Sequence, residues 1–334
     1  MKKYFLPIFS ALVVAFPAAF AAQSKWEQDM KEGQEAFHQG ELGKAENAFL
    51  SAITEAKKSG KNDLRAAKSL SSLAAAYNND EKLADAENTF KQALSIREQI
   101  LKPGHPDLWK NLIDLSEVYE LEGKFSDAEA SLKHALAIRQ QAVGPNHPDI
   151  ADNLCDLAAF YEDDFSKKKQ SDYNQAEILY KRALTIREKR CGANSLLVAN
   201  TLDEMTDLYD KWVKYAEAEQ LCRRAFSIHE NMHKFKGIEN KFDYLHKFDY
   251  IQNKLDYLHK LADLCDKQGK YNEAEKFYKQ AIVIAEKTWG KDNAGIDPYL
   301  NYFSDFLRTR KRDSEAEKVE SRMILLESHS GAGP

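Results

Sequence analysis

Residues 127–139 read DAEASLKHALAIR, and they decide the fold because the same pattern recurs along the chain. Small side chains stand at Ala128 and Ala135, with the larger Leu132 between them. Spacings of four, three and seven residues place all three on one face of an α-helix. Two small residues on that face let a neighbouring helix approach closely, and the larger one fills the space between them. The stretch therefore predicts a helix that packs tightly on another helix.

The triplet around Ala128 is one of seven similar triplets. Their central alanines are separated by 41, 42, 48, 42, 56 and 42 residues, a period of about 42 with insertions of 6 and 14. Strand-like alternation is essentially absent from the segments between them. The chain is therefore expected to be an all-α array of stacked helical repeats. The seven central alanines are Ala45, Ala86, Ala128, Ala176, Ala218, Ala274 and Ala316.

The helix before each triplet has a pattern of its own. Leu is followed by a small residue and then, three positions later, by an aromatic residue, as in 73–77 (LAAAY) and 157–161 (LAAFY). Gly40, Gly123 and Gly269 come next, where the chain must turn into the second helix. A turn that needs a positive φ is most easily made by Gly. Each repeat is thus predicted to be a helix–turn–helix unit.

These units resemble the tetratricopeptide repeat (TPR). The longer period, the helix ends such as 183–188 (ALTIRE) and the connectors such as 144–149 (GPNHPD) are similar to the kinesin light chain subclass. The resemblance implies a right-handed superhelical α-solenoid of about seven repeats over residues 23–325, with a flexible tail at 326–334. It also implies a non-catalytic scaffold that binds other proteins and needs no cofactor.

One part of the resemblance fails at the positions that would bind a kinesin-type cargo. The family grips peptides with Asn residues placed just before the Leu-Ala pair. Other residues stand there in this chain, so we do not expect kinesin-type cargo recognition to transfer. The residues at these positions are Ser72, Asp114, Asp156, Glu204 and Lys260.

The first 22 residues have the pattern of a secretory signal peptide. A short basic start precedes the apolar run 4–20, and small residues follow it. We expect cleavage near Ala21 or Ala22, and an exported bacterial protein that is periplasmic or secreted. The alternative is an uncleaved anchor of about 17 apolar residues, which is marginal for a membrane span.

The overall charge and hydropathy exclude two classes of protein. The chain has 53 acidic and 48 basic residues, a net charge of -5, so it lacks the basic field expected of a nucleic-acid-binding protein. Mean hydropathy is -0.61, and no second apolar run is long enough to span a membrane. A polytopic membrane protein is therefore excluded.

The predicted binding surface is the concave one, which the first helix of each unit lines in TPR arrays. Mapping the stripe not used for packing gives sixteen positions in the third to sixth repeats, of which ten are acidic. Aligned acids would attract a basic or extended segment of a partner protein. The alternative is a solvated charged face without a ligand. The ten predicted groove residues are Glu117, Glu120, Asp152, Glu162, Asp203, Asp207, Asp210, Asp256, Asp263 and Asp266.

One motif matches that of a class of metal enzymes. His229-Glu230-x-x-His233 matches H-E-x-x-H, in which two His bind zinc and the Glu acts as a general base. However, His229 and Glu230 occupy the repeat columns of Arg187 and Glu188, and a third ligand is missing at the usual spacing. A zinc-dependent hydrolase is therefore the less favoured alternative to a scaffold.

Four cysteines raise the question of disulfides in an exported protein. The antiparallel helix geometry favours pairing Cys155 with Cys191. Cys222 and Cys265 occupy large-residue core columns of adjacent repeats and could face each other. Buried reduced thiols, which pack as small apolar groups, are the alternative.

The insertion of 14 residues contains a short duplication. Residues 240–246 (NKFDYLH) return as 253–259 (NKLDYLH), with no Gly or Pro between Glu239 and Gln268. This predicts one long helix, which is either a ridge that contacts a partner or an extended packing helix. A further alternative function is a chaperone-like envelope assembly factor that holds clients by apolar surface.

Overall fold

The computed structural model describes residues 24–58, 60, 63–162, 170–235 and 244–330. The predicted signal peptide, residues 1–22, lies outside these ranges. Within them the chain forms fourteen α-helices, one short 3₁₀ helix and no strand. The helices fall into two compact units, residues 1–101 and 102–334, and each unit is described by itself.

The first unit consists of two helical hairpins, in which α1 packs on α2 and α3 on α4. Ser24 caps α1, since its hydroxyl accepts a hydrogen bond from the amide of Glu27 while the Glu27 carboxylate accepts one from the amide of Ser24. Phe49 is buried between Ala45 and Ala52, as the triplet pattern predicts. The helices are α1 (Lys25–His38), α2 (Leu42–Lys57), α3 (Leu64–Asn79) and α4 (Leu83–Ile100).

The second unit continues the same arrangement with five further hairpins, each packed against the next. The last helix ends at Ser330, so residues 326–330, expected to belong to a flexible tail, are helical. The helices are α5 (Pro106–Leu121), α6 (Phe125–Val143), α7 (Pro148–Glu162), α8 (Gln170–Cys191), α9 (Leu196–Lys211), α10 (Tyr215–Phe235), α11 (Tyr244–Lys267), α12 (Tyr271–Trp289), α13 (Asp297–Thr309) and α14 (Asp313–Ser330), with the 3₁₀ helix at Ala294–Ile296.

The central alanines are fully buried. All seven have a solvent exposure of 0%, so each is enclosed by other atoms of the protein. Of the second alanines, five are at 0% and Ala281 is at 2%. This burial confirms the predicted all-α repeat solenoid, because the small residues lie where one helix crosses another.

The turns inside the hairpins repeat one backbone conformation. The residue five positions before the central alanine has a positive φ in six repeats, and the next amide donates a hydrogen bond to the carbonyl five residues back, as Lys124 does to Tyr119 (2.7 Å). Gly fills this position in three repeats, as predicted, but Glu81, Val213 and Lys311 fill it in the others. The repeat geometry thus imposes the conformation even where the residue does not favour it.

The long helix predicted at the insertion is α11, with 24 residues. Leu255, Tyr257 and Leu258 are buried, and the ring of Phe248 lies 6.5 Å from that of Trp289. The middle of the helix is therefore packed on its neighbours, whereas Phe248 itself is 52% exposed. Residues 236–243, including Phe242, lie outside the described residues. None of the described helices has the length and apolar character needed to cross a membrane.

Candidate partner-binding site

Six of the ten predicted groove acids are held in ion pairs. Asp152 pairs with Arg187 at 2.8 Å, and Lys267 pairs with both Asp210 (2.7 Å) and Asp263 (2.8 Å). The remaining pairs are Glu162 with Lys211, Asp207 with Lys260, and Asp266 with Arg310. The expected continuous negative wall is therefore partly neutralised. The helical pattern of each helix alone could not show these ion pairs. Four of them join residues that lie more than 40 positions apart in the sequence.

Two of the other groove acids accept hydrogen bonds from neutral groups. The carboxylate of Asp203 accepts from the Tyr257 hydroxyl, and that of Asp256 accepts from the Gln252 amide at 3.0 Å. The last two predicted acids lie on α5, where burial raises the pKa of Glu117, and Glu120 is half-buried. Asp203 and Asp256 thus make no ion pair within the described residues.

Two further acids belong to this site and were not among the predicted groove residues. Burial, together with the charges of Asp152 and Glu204, raises the pKa of Asp156 to about 6. Burial also raises the pKa of Glu204, against the opposing effects of Cys155 and Arg187. Both residues stand just before the Leu-Ala position of their helices, where the family has Asn. The sequence signal was therefore present, but it indicated a departure from the family rather than a site.

Buried arginines support the helices that carry these acids. Arg139 on α6 donates to the Asn153 side-chain oxygen at 2.8 Å, and its guanidinium lies 3.9 Å from the centre of the Trp109 ring. Arg187 on α8 donates to the Thr201 hydroxyl and to Asp152. In each pair the arginine at the end of one hairpin contacts the residue 14 positions later, on the first helix of the next hairpin.

Between α9 and α11 lies a recess of about 410 Å³, which we call the acidic recess. Burial raises the pKa of Asp203 there to about 6, and Asp207 and Glu204 act in the same direction, although the Tyr257 hydroxyl and Lys260 oppose them. The second carboxylate oxygen of Asp203 is buried and accepts no hydrogen bond from the described residues. The recess is lined by Asn200, Asp203, His229, Asn253, Asp256, Tyr257 and Lys260.

Two residues of the H-E-x-x-H motif, His229 and Glu230, lie in different surroundings. His229 lines the acidic recess, with its ring 5.2 Å from that of Tyr257, whereas Glu230 forms an ion pair with Lys254. A carboxylate in such a pair is not placed to activate a metal-bound water. The side chain of His233 lies outside the described residues.

Among the described residues, one group of three potential metal ligands lies close together. It consists of Glu219, Cys265 and Glu273, whose ligand atoms are all within 4.8 Å of one another. The Glu219 carboxylate already pairs with Arg223 (2.6 Å) and Lys270 (2.7 Å). Although burial opposes it, hydrogen bonds from Lys270, Gln268 and Arg223 lower the pKa of Glu219 to about 2. The negative charge of Glu219 is thus balanced by ion pairs within the protein.

All four cysteines are free thiols in this structure, so neither candidate disulfide is formed. Cys155, Cys222 and Cys265 are buried, and Cys191 is half-buried. Burial raises the pKa of Cys222 to about 12 and that of Cys265 to about 11. These surroundings are those of thiols packed as small apolar side chains.

Known proteins share this architecture. Two tetratricopeptide repeat models match the chain, one at residues 65–141 and 165–231 and the other at 255–288. A comparison with curated proteins found no match.

Among solved structures, BtubC (BKLC) from P. vanneervenii is 20% identical with a TM-score of 0.57, over 74% of this chain and 92% of its own. A protein from Podosopora anserina, named for kinesin light chain and built of nearly identical TPR-like repeats, is 19% identical with a TM-score of 0.51, over 66% of this chain and 95% of its own. The STAND protein PH0952 from Pyrococcus horikoshii, which has a tetratricopeptide repeat sensor, is 16% identical with a TM-score of 0.62, over 92% of this chain and 43% of its own.

At these identities the likeness to solved structures shows the fold alone. The two repeat models describe the same kind of unit, and together they match more than half of the chain. Their matches coincide with the helical hairpins and the buried alanines. The chain belongs to the tetratricopeptide repeat family.

Proposed function

We propose that this protein is an exported, non-catalytic scaffold that binds a basic, extended segment of a partner protein at the acidic recess and the adjoining acids. The observation that carries the proposal is the state of Asp156 and Asp203. The pKa of each is raised to about 6, and neither forms an ion pair within the described part of the chain. At neutral pH both are mostly ionised at a cost in folding free energy, which a cation from a partner would offset.

The arrangement of the acids supports an extended ligand rather than a single ion. Glu117, Asp156 and Glu204 lie on α5, α7 and α9, the first helices of successive hairpins. The charges of Glu117 and Glu204 both raise the pKa of Asp156, so the three carboxylates lie within electrostatic reach of one another. A segment with several basic residues would contact acids on successive repeats at once.

Peptide binding tests the proposal. A fluorescein-labelled decapeptide of alternating Lys and Ser is titrated with the protein at low and high salt, with a Glu/Ser decapeptide as the charge control. We expect anisotropy changes with the basic peptide only, and affinity that falls at high salt because the contacts are electrostatic. Asp156→Asn with Asp203→Asn should weaken binding by about tenfold or more.

Asp127→Asn provides the matched control, since Asp127 is exposed in the first turn of α6. It removes one charge of the same kind without changing the recess, and binding should persist. Equal affinity of the double variant and the unaltered protein would contradict the proposed site. Binding that is insensitive to both charge and salt would favour the chaperone-like alternative, in which clients are held by apolar surface.

Export belongs to the same proposal and has a separate test. It is supported by the basic start, apolar run and small-residue exit of residues 1–22. Mass measurement of the protein from the envelope and culture-medium fractions should give a chain that begins after Ala21 or Ala22. A chain that retains Met1 would contradict cleavage and favour the anchor.

A further inference from the structure

Next to the acidic recess lies a second recess of about 370 Å³, which we call the aromatic recess. Five rings follow one another around it, and each lies close to the next. Ring centres are 6.5 Å apart for Phe248 and Trp289, 6.0 Å for Trp289 and Tyr299, 6.4 Å for Tyr299 and Tyr302, and 3.8 Å for Tyr302 and His259. The rings come from α11, α12 and α13, so the recess is built by the packing of two hairpins.

One carboxylate faces this group of rings. Asp256 lines the aromatic recess as well as the acidic recess, and no Lys or Arg is among the residues that line the aromatic one. The Gln252 amide fixes the arrangement by donating to both the Asp256 carboxylate (3.0 Å) and the Tyr299 hydroxyl (3.1 Å). No ion pair of Asp256 occurs in the described part of the chain, so its charge is open to a ligand.

His259 adds an unused hydrogen-bonding atom. Its Nδ1 is buried and has no hydrogen-bond partner among the described residues. Burial lowers the pKa of His259, against the charges of Asp263 and Asp256, so the imidazole is uncharged at neutral pH. A neutral imidazole can present a nitrogen that accepts a hydrogen bond from a bound N–H group.

We propose that the aromatic recess binds an organic cation, namely the ammonium or guanidinium end of a Lys, methylated Lys or Arg side chain of the partner. Aromatic faces attract a cation through their quadrupole, and a nearby carboxylate adds direct charge attraction. Because Asp256 belongs to both recesses, a segment that crosses the acidic recess leads directly into the aromatic one. The inference rests on the proposed function and specifies which type of side chain is read at this position.

The test uses small probes, so that it does not depend on the partner. Choline and its uncharged isostere 3,3-dimethyl-1-butanol are compared by saturation-transfer NMR on the full-length protein. We expect saturation transfer to choline and at most about a tenth of it to the alcohol, because only the cation gains from the rings and Asp256. Tyr302→Leu and Asp256→Asn should each weaken choline binding by about fivefold or more.

Tyr271→Leu is the matched control, since Tyr271 is an exposed tyrosine on α12 that does not line the recess. Circular dichroism melting of each variant shows that it is folded. Equal signals from choline and the alcohol, or choline binding unchanged in both recess variants, would overturn the inference.

Peptide arms separate this inference from the proposed function. The Lys/Ser decapeptide is compared with versions that carry one trimethyl-Lys or one Arg, on the unaltered protein and on Tyr302→Leu. Weaker peptide binding to the Tyr302→Leu protein than to the unaltered protein supports the aromatic recess. The peptide whose affinity falls most identifies the type of cation that the recess binds. Peptide binding that is unaffected by Tyr302→Leu, in a protein that does not bind choline, would overturn the recess while leaving the acidic recess intact.

Discussion

The hairpins of the second unit are joined in two different ways. Toward the middle of the chain, α6 meets α7 and α8 meets α9 through a buried arginine and a polar partner, Arg139 with Asn153 and Arg187 with Thr201. In the C-terminal part the corresponding pairs are His229 with Tyr257 and Ala285 with Tyr299, so a tyrosine replaces the polar partner and the arginine is absent. The same crossing of helices is thus held by hydrogen bonds in one region and by aromatic packing in the other.

The difference shows what each kind of junction contributes. A buried guanidinium must satisfy most of its donors, and Arg187 leaves its Nε without a partner within the described residues. A tyrosine that buries its ring gains apolar contact without a buried charge. The Arg187 junction lies beside Asp152, whereas His229 and Tyr257 line the acidic recess and Tyr299 lines the aromatic recess. The aromatic junctions therefore border both recesses.

The largest expected effect concerns the alanines that both regions share. Ala128→Asp would place an unpaired carboxylate at a fully buried helix crossing, which costs several kcal/mol. We expect cooperative unfolding or a melting temperature lowered by about 15 °C or more, measured by circular dichroism. Ala130→Asp makes the same change at an exposed position of the same helix and should melt like the unaltered protein. Similar melting of the two variants would contradict the packing role of the alanine column.

The second prediction breaks an arginine junction and rebuilds it in the aromatic form. Arg187→Ala removes the donor to Thr201 and Asp152 and should lower the free energy of unfolding by about 3 kcal/mol. Adding Thr201→Tyr recreates the combination of Ala285 and Tyr299 and should recover at least about 1 kcal/mol. Urea denaturation measures both changes. If the double variant is no more stable than Arg187→Ala, the two junction types are not interchangeable.

The third prediction compares an unpaired acid with a paired one. The pKa of Asp156 in the folded protein is about 6, above the value of about 3.9 for an unfolded chain. The folded state therefore binds more protons between these values, and stability falls as pH rises from about 4 to about 6. Asp156→Asn should raise stability at pH 7 by about 1–2 kcal/mol, with allowance for partial solvent screening, and should flatten this pH dependence.

Asp266→Asn is the counterpart, because it breaks the ion pair with Arg310. It should lower stability by about 1 kcal/mol at low salt, and by less at high salt. Thermal melts of both variants from pH 4 to pH 8 provide the comparison. A loss of stability in Asp156→Asn at pH 7 would show that the ionised Asp156 does not destabilise the folded protein.

The last comparison, with effects as small as those of the third, lies in the turns. Val213 has a φ of 61°, a conformation that is costly for a β-branched residue, whereas Gly269 has a φ of 76° in the corresponding turn. Val213→Gly should raise the free energy of unfolding by about 1 kcal/mol, and Gly269→Val should lower it by about 1–2 kcal/mol. Urea denaturation checks both. If neither variant changes the free energy of unfolding, the turns relax to other conformations.

The fold followed from the sequence because it depends on contacts within one repeat. The alanine triplets, the intervening large residues and the turn glycines each have a periodic signature, and their burial confirmed it. The pairing of Asp210 with Lys267 joins residues 57 positions apart, and such contacts leave no periodic trace in either helix. The distribution of charge over the site could therefore be obtained only from the arrangement of the helices.

The aromatic recess shows the same limit in another way. Phe248 lies between the two copies of the duplication and His259 ends the second copy, both on α11. Tyr302 lies on α13, and the connection 290–296 joins α12 to α13. The duplication in the insertion predicted one long helix, so the sequence pointed to that helix alone. The residues that complete the recess come from the next repeat, where no motif marks them.

The turn at Val213 also has a consequence for the local dynamics of the chain. A backbone conformation that costs about 1.4 kcal/mol shifts a local opening equilibrium by about tenfold. The amide of Lys214, which donates to the Tyr209 carbonyl, would then exchange its hydrogen with solvent about ten times faster than the amide of Lys270, which donates to Cys265. The turn between α9 and α10, in the hairpin that carries Asp203 and Glu204, would thus open more readily than the turn at Gly269.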